Sequence, residues 1–184
     1  GYESELTGLD PHQTSSVVSW VVNYNICETL ITFEEGAPAG RLATDWSIGD
    51  DGTTYTFQLE EGVLFHPPTS REMTAEDVAY SFRRMNQEGA MGGDLASMES
   101  VEATGDYEVT FTMSQQFAPF FNFLARVPWV VVPEEAVESQ GGGLGDFQKP
   151  VGTGPFQFGE QEQGNFLRLD AFEDYRIEDV PLVD

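Results

Sequence analysis

Apolar and polar residues alternate most clearly just after Asp51-Gly52. From Thr53 to Leu59 every second side chain is apolar, and this period of two predicts a half-buried β-strand. Glycine accepts positive φ at little cost, so Asp51-Gly52 predicts a tight turn before the strand. Gly62 then turns the chain into a second short apolar segment. The apolar members of the first strand are Tyr55, Phe57 and Leu59.

The period changes to a helical one after Thr74. Val78, Phe82 and Met85 are spaced three or four residues apart, which predicts one buried face of an α-helix. The Thr74 hydroxyl is a typical cap for the free N–H groups at a helix start. Two acidic residues in the first turn favour the positive end of the helix dipole.

The remaining segments mix helices and strands without a regular repeat. This mixture predicts an α/β (mixed α+β) architecture with a mixed sheet. The expected elements are a helix capped by Ser15 or Ser16 and running to Leu30, a β-hairpin of Glu99–Ala103 and Tyr107–Met113, a short aromatic helix over Ala118–Leu124, a buried strand over Trp129–Val132, a helix with Pro133 at its first position, and strands over Phe156–Phe158 and Phe166–Leu169.

The chain has a large excess of acidic residues. Eight Lys and Arg residues stand against 32 Asp and Glu residues, which gives a net charge of −24. Such a charge repels itself in dilute salt, and the screening length falls to about 3 Å in molar salt. The acids are dispersed along the chain, so we predict a protein of a salt-loving organism, a halophilic archaeon; the alternative is an acidic protein with one negative patch. Phosphate binding needs a basic surface, so nucleic acid is excluded as an expected partner.

Length and apolar content indicate a globular domain, or one lobe of a larger protein. No apolar run approaches the ~20 residues that span a bilayer, and the first residues are typical of mature sequence rather than of a signal peptide. A single cysteine, Cys27, allows no internal disulfide, and its apolar surroundings indicate a core residue.

The motifs of known catalysts are missing from the sequence. There is no His-Glu-x-x-His, no cysteine cluster, no metal-ligand spacing and no nucleophile elbow, so we expect no enzyme, no metal and no cofactor. Gly152-Thr153-Gly154 lacks the lysine and the glycine spacing of phosphate-binding loops. A close backbone crossover is therefore the favoured interpretation of these glycines.

Several segments together resemble the extracellular solute-binding proteins of family 5, the peptide- and nickel-binding proteins of ABC importers. The resemblance spans nearly the whole chain and depends on the order of the segments. They are Leu9-Asp10-Pro11-His12, Cys27-Glu28-Thr29-Leu30, Leu42-Ala43 with Trp46, Asp51-Gly52 with Tyr55, Phe57 and Leu59, Gly62-Val63 with Phe65, Thr74-Ala75 with Asp77, Val78 and Ser81, and Val151-Gly152-Thr153-Gly154-Pro155-Phe156.

The resemblance implies part of lobe I of a two-lobed, class II periplasmic-binding-protein-like fold. Residues 1–184 are then a partial first lobe, and we expect the second lobe to lie outside this sequence. Residues 1–40 and 150–184 are expected on the main sheet of that lobe. Residues 41–149 are expected to form an inserted subdomain.

The resemblance also implies that two segments of the chain contact the ligand. The segment after Leu-Asp-Pro lines the cleft in the family and corresponds to Gln13, Thr14 and Ser15; the alternative for Ser15 is plain helix capping. Arg126 and Trp129 follow the aromatic helix. An arginine fork suits a carboxylate, but Arg126 equally suits a surface ion pair, and Trp129 suits the core as well as a ligand stack.

The implied function is capture of peptides outside the cell and delivery to the permease subunits of an ABC importer. We expect a monomer on the extracellular face of the membrane, held by a lipid anchor on the full-length protein. Two alternatives stay open. One is the same fold with a nickel complex, haem or an oligosaccharide as its cargo. The other is an acidic interaction module without a small ligand.

Overall fold

The computed structural model describes residues 8–143, 145–162 and 164–177, which form a mixed α+β structure. This confirms the class that the sequence predicts. Its helices are α1 (Val17–Ile26), α2 (Ala75–Glu88), α3 (Phe120–Leu124) and α4 (Glu134–Glu138), with 3₁₀ helices at Gly92–Leu95 and Val127–Trp129; its strands are β1 (Ile31–Glu34), β2 (Ala37–Gly40), β3 (Ala43–Ile48), β4 (Thr54–Leu59), β5 (Met98–Gly105), β6 (Glu108–Met113), β7 (Phe156–Glu162) and β8 (Phe166–Ala171).

The largest sheet is four-stranded and antiparallel, in the order β3-β4-β6-β5. Tyr55 pairs with Phe111 across β4 and β6, and the apolar positions of β4 are buried as the alternation predicts. Gly52 has a φ of +68° in the turn before β4. The predicted strand and the predicted β-hairpin are therefore both confirmed.

Helix α2 covers this sheet with its apolar face. Val78, Phe82 and Met85 are each at most 1% exposed, as the helical spacing predicts. The Phe82 ring lies 4.9 Å from that of Phe111 on β6 and stacks at 5.5 Å on Trp129. Burial of large aromatic side chains is the main stabilising contribution here.

The start of α2 is capped at Thr74 as predicted, by a capping box in which the Thr74 side chain faces the Asp77 N–H and the Asp77 side chain faces the Thr74 N–H. The Asp77 carboxylate accepts a hydrogen bond from the backbone N–H of Thr74 at 2.9 Å. The Thr74 hydroxyl donates to the same carboxylate at 3.3 Å. The side chain of the third helical residue thus reaches back to the cap residue, which is the reciprocal contact of a capping box.

Helix α1 ends at Ile26, four residues before the predicted end at Leu30. In a longer helix the Ile26 carbonyl would accept from Leu30 N–H, but it accepts instead from Gly154 N–H at 2.9 Å. A side chain at Gly152 would collide with the same carbonyl. The glycines therefore serve the close backbone crossover that their sequence indicates, and this contact ends the helix.

Two other boundaries also differ. Trp129–Val132 is buried, but the residues form a 3₁₀ end and a single bridge between Val130 and Thr29 rather than a strand. Pro133 precedes α4 as its cap residue, whereas the sequence predicts it at the first helical position. Its ψ of 133° is extended, so the helix begins one residue later, at Glu134.

Two antiparallel pairs, β1–β2 and β7–β8, complete the described strands. Every pair of strands within residues 8–143, 145–162 and 164–177 is antiparallel, so the mixed sheet that the sequence predicts does not form there. The division into a main-sheet part (1–40 and 150–184) and an inserted subdomain (41–149) stays a prediction.

A buried glutamate joins distant segments behind α1. Both oxygens of Glu28 are engaged, and its side chain is fully buried. Burial opposes the charge of Arg176, but hydrogen bonds and charge from Glu28 raise the pKa of that guanidinium above its usual value. The donors to Glu28 are Arg41 at 3.1 Å, Thr153 at 2.9 Å, Tyr175 at 3.1 Å and Arg176 at 2.7 Å.

Within the described residues, no helix has the length and apolar character needed to cross a bilayer. The same residues contain no cluster of three or more side chains suited to hold a metal ion. Cys27 is buried, and this burial raises the pKa of its thiol, in keeping with the predicted core role.

Candidate functional site

An open pocket of about 260 Å³ lies beside the segment that the sequence singles out for ligand. Gln13 and Ser15 are exposed on its wall, whereas Thr14 is 8% exposed. We call it the Gln13–Ser15 pocket. Its lining residues are Gly8, Asp10, Gln13, Thr14, Ser15, Gly145 and Gln148.

Local hydrogen bonds fix this wall. The Thr14 hydroxyl accepts from Ser16 N–H at 3.1 Å, and the Thr14 carbonyl accepts from the indole N–H of Trp20 at 3.0 Å. Ser16 is the cap residue of α1, and neither it nor Ser15 makes a side-chain cap bond. The helix-cap alternative for Ser15 is therefore wrong, and its hydroxyl stays available at the pocket.

Beneath the wall lies a buried charged group that we call the Asp10–His12–Arg84 cluster. Arg84 donates to both Asp10 oxygens, at 3.0 and 2.7 Å, and to His12 Nδ1 at 2.9 Å. The other ring nitrogen, Nε2, donates to the Val130 carbonyl at 3.1 Å. Asp10 and His12 are each 1% exposed, and the Arg84 side chain is 5% exposed. The fork of Arg84 on α2 therefore holds the segment at Asp10 in one place.

Burial and the neighbouring side chains together determine the protonation states in this cluster. Burial, together with the charge of the adjacent Arg84 cation, lowers the pKa of His12 to about 4. Burial alone would raise the pKa of Asp10, but hydrogen bonds and charge from Arg84 hold it below its ordinary value. At neutral pH the cluster is thus a carboxylate–guanidinium pair beside a neutral imidazole. Both nitrogens of His12 are engaged and buried, so this imidazole is not placed to act as a base on a bound molecule.

The opposite wall comes from a segment far along the chain. Gly145 N–H donates to Asp10 Oδ2 at 3.1 Å, and Leu9 N–H donates to the Gln148 side chain at 3.1 Å. Gly145 and Gln148 are not among the ligand residues predicted from the sequence. No local signal marks them, because their contacts join residues 135 or more positions apart.

The second predicted ligand segment does not reach this pocket. Arg126 Nη1 lies 2.7 Å from Asp94 Oδ2, and its guanidinium lies 5.3 Å from the centre of the Phe123 ring. Trp129 is 1% exposed and stacks on Phe82 in the core. These are the two alternatives that the sequence left open, an ion pair for Arg126 and core packing for Trp129.

The chemistry of the Gln13–Ser15 pocket is that of hydrogen bonding. It presents amide side chains, hydroxyl groups and backbone groups, while its one carboxylate is already paired with Arg84. Such a wall suits the N–H and C=O groups of a peptide-like molecule.

Comparison with known proteins identifies the family of the chain. Residues 37–184 match the family model described as bacterial extracellular solute-binding proteins, family 5 Middle. The dipeptide-binding protein of Pseudomonas aeruginosa is 32% identical over 98% of this chain, which covers 38% of that relative.

Two solved structures show the same fold. The periplasmic binding protein DppA from Helicobacter pylori, in complex with peptide STSA, has a TM-score of 0.80 at 29% identity, covering 94% of this chain and 38% of that one. The binding protein MoaA of A. tumefaciens R10, in complex with mannopinic acid, has a TM-score of 0.85 at 26% identity, covering 94% and 36%. The chain thus spans little more than a third of the relatives it matches. It belongs to the extracellular solute-binding proteins of family 5 and has their periplasmic-binding-protein-like fold.

Proposed function

We propose that this chain is part of the substrate-binding component of an ABC importer, which captures peptides outside the cell and delivers them to a membrane permease. The observation that carries the proposal is the Gln13–Ser15 pocket. Its two exposed polar side chains stand on a wall that buried charges hold in place. Relatives named for dipeptides support peptides as the cargo.

Residues 1–184 supply, in this proposal, a partial first lobe, with 41–149 as its inserted subdomain. Ligand bound between two lobes stabilises their closed arrangement through contacts made only there. The closed form then docks on the permease subunits. We further propose a monomer without catalytic activity or nucleic-acid partner, lipid-anchored on the extracellular face of the membrane.

At the site, Gln13 and Ser15 would bind the peptide main chain through their amide and hydroxyl groups. Gln148 would complete the opposite wall. The Asp10–His12–Arg84 cluster would position this surface without touching the ligand, since its side chains are buried. Arg126 and Trp129 keep a ligand role only if the longer protein rearranges them.

The test is mass spectrometry of small molecules carried along by the longer protein, purified in molar KCl. Peptides released on denaturation are the expected result. A second candidate is the same fold with another cargo, which the mannopinic acid complex of a similar protein favours. Release of a sugar derivative or a metal complex would contradict the peptide proposal in favour of that candidate, and empty protein would favour an interaction module without a ligand.

One lobe alone lacks half of a two-lobed site, so the isolated 184-residue chain is expected to bind peptides weakly or not at all. Titration with a dipeptide by calorimetry measures this. Micromolar affinity would contradict the idea that a second lobe is needed.

The dispersed acids support adaptation to high salt. Lowering KCl from molar to dilute should reduce the urea midpoint of unfolding, because self-repulsion is no longer screened. Equal midpoints in both salts would favour a single acidic patch instead.

A further inference from the structure

A second pocket, of about 340 Å³, shares no lining residue with the Gln13–Ser15 pocket. It lies where the loop after His66, the end of α4, the segment at residues 149–151 and strand β7 meet. We call it the Lys149 pocket. Its apolar wall consists of Pro67, Pro68, Ala136, Pro150, Val151 and Phe158, and its polar members include Ser139, Gln140 and Lys149.

The charge pattern around this pocket is unusual for the molecule. Each of the seven arginines has a carboxylate within 4.0 Å. Lys149 is the only lysine, and in the part of the chain that the structure describes it is the one Lys or Arg side chain without an ion pair. Since 32 acids are available, the free ammonium group is not explained by a shortage of carboxylates.

The frame of the pocket is fixed by hydrogen bonds on two sides. The Gln140 side chain accepts from Lys149 N–H and donates to the Lys149 carbonyl, both at 2.9 Å. On the other side His66 N–H donates to the Gly152 carbonyl at 2.9 Å, and the His66 ring contacts the Gly154 carbonyl at 2.8 Å. The site is therefore preformed, so a small molecule would not have to order it on binding.

We propose that the Lys149 pocket binds a small monocarboxylate with an apolar body. The volume is at the lower end of the range for small-molecule sites, and an apolar wall with few polar groups is their usual composition. The ammonium group is a compact charge with three donors, which suits a single carboxylate. This proposal stands on a different site and does not depend on peptide transport.

The test uses 3-phenylpropionate as the probe and its uncharged amide, 3-phenylpropionamide, as the matched compound. The chain is labelled with ¹⁵N and titrated in molar KCl, which screens its net charge. Saturable shifts of the amide signals of Lys149, Val151 and Phe158 are expected with the acid, and weaker binding with the amide.

Variants separate the charge from the shape of the pocket. Lys149→Gln should weaken binding of the acid about fivefold, the upper range for a partly exposed ion pair, and Lys149→Arg should retain it. Arg168→Gln removes an exposed cation outside the pocket and should change nothing. Equal binding of acid and amide, shifts confined to the Gln13–Ser15 pocket, or no saturable shift at the solubility limit of the probe would each overturn the proposal.

Discussion

Two buried regions of this chain are held together by opposite means. Between α2 and the four-stranded sheet the contacts are apolar, with Phe82 packed on Phe111 and Trp129. Beneath the Gln13–Ser15 pocket the contacts are charged, and Arg84 is forked onto Asp10. The two regions share one helix, since Phe82 and Arg84 are two positions apart on α2. One face of a helix thus supplies stability, and the next residues along it fix the shape of a candidate binding surface.

The largest effect is expected when the apolar packing between α2 and the sheet is disrupted. Phe82→Ala should lower the free energy of unfolding by about 3–5 kcal/mol, since a fully buried ring leaves a cavity. Urea unfolding in molar KCl measures the change. The control is Phe166→Ala, whose ring is 44% exposed and should matter far less. Equal losses for the two variants would contradict the assigned core.

A second large effect is expected when the cation of the Asp10–His12–Arg84 cluster is removed. Arg84→Gln leaves the Asp10 carboxylate buried without its cation, so it should also cost about 3–5 kcal/mol, toward the lower end because the amide keeps some hydrogen bonds. Unlike Phe82→Ala, it should shift the amide signals of Gln13 to Ser15 and of Gly145. Arg168→Gln is the control, because it breaks only exposed ion pairs. A loss below about 1 kcal/mol for Arg84→Gln would show that the cluster does not hold this wall.

The pH dependence of stability tests whether His12 is neutral in the charged region. His12 protonates near pH 6.5 when unfolded but at about pH 4 in the fold, so the unfolded chain binds more protons between these values. Stability should therefore fall as the pH is lowered from 6.5 to 4, by up to about 1.4 kcal/mol per pH unit from this group.

His12→Gln should remove that share of the slope in urea unfolding at a series of pH values. His66 provides a matched comparison, because burial lowers its pKa to about 4 as well, away from the Gln13–Ser15 pocket. His66→Gln should reduce the slope similarly without shifting the Gln13 and Ser15 signals. An unchanged slope in His12→Gln would mean that this imidazole is protonated in the fold.

The smallest effect is expected at Arg126. Its ion pair with Asp94 is partly exposed, so Arg126→Gln should cost less than about 1 kcal/mol. Peptide affinity of the longer protein, measured by calorimetry, should stay unchanged. A clear loss of affinity would restore the ligand role that the family resemblance implies for Arg126.

The apolar region was predictable because its signals are local. The alternation in β4 and the spacing of Val78, Phe82 and Met85 each extend over a dozen residues or fewer, and both are confirmed. The wrong boundaries have long-range causes. Helix α1 stops at Ile26 because Gly154, 128 positions away, takes the carbonyl that would continue it.

The candidate site was only half predictable for the same reason. The family resemblance pointed to Gln13, Thr14 and Ser15, and the structure places them on one pocket wall. Gly145 and Gln148 carry no pattern of their own, and Arg84 has no feature in the sequence that separates a buried fork from a surface cation. Contacts that bring distant charges together are not encoded in periodicity, so neither the far wall nor the buried cluster follows from the sequence alone.

The most direct measurement is photo-crosslinking of a dipeptide that carries a diazirine side chain to the longer protein, followed by mapping of the labelled residues by mass spectrometry. We expect label on residues 9–15 and 145–148 that unlabelled dipeptide competes away. Competed label that falls only outside these two segments would contradict the assignment of the Gln13–Ser15 pocket as part of the peptide-binding surface.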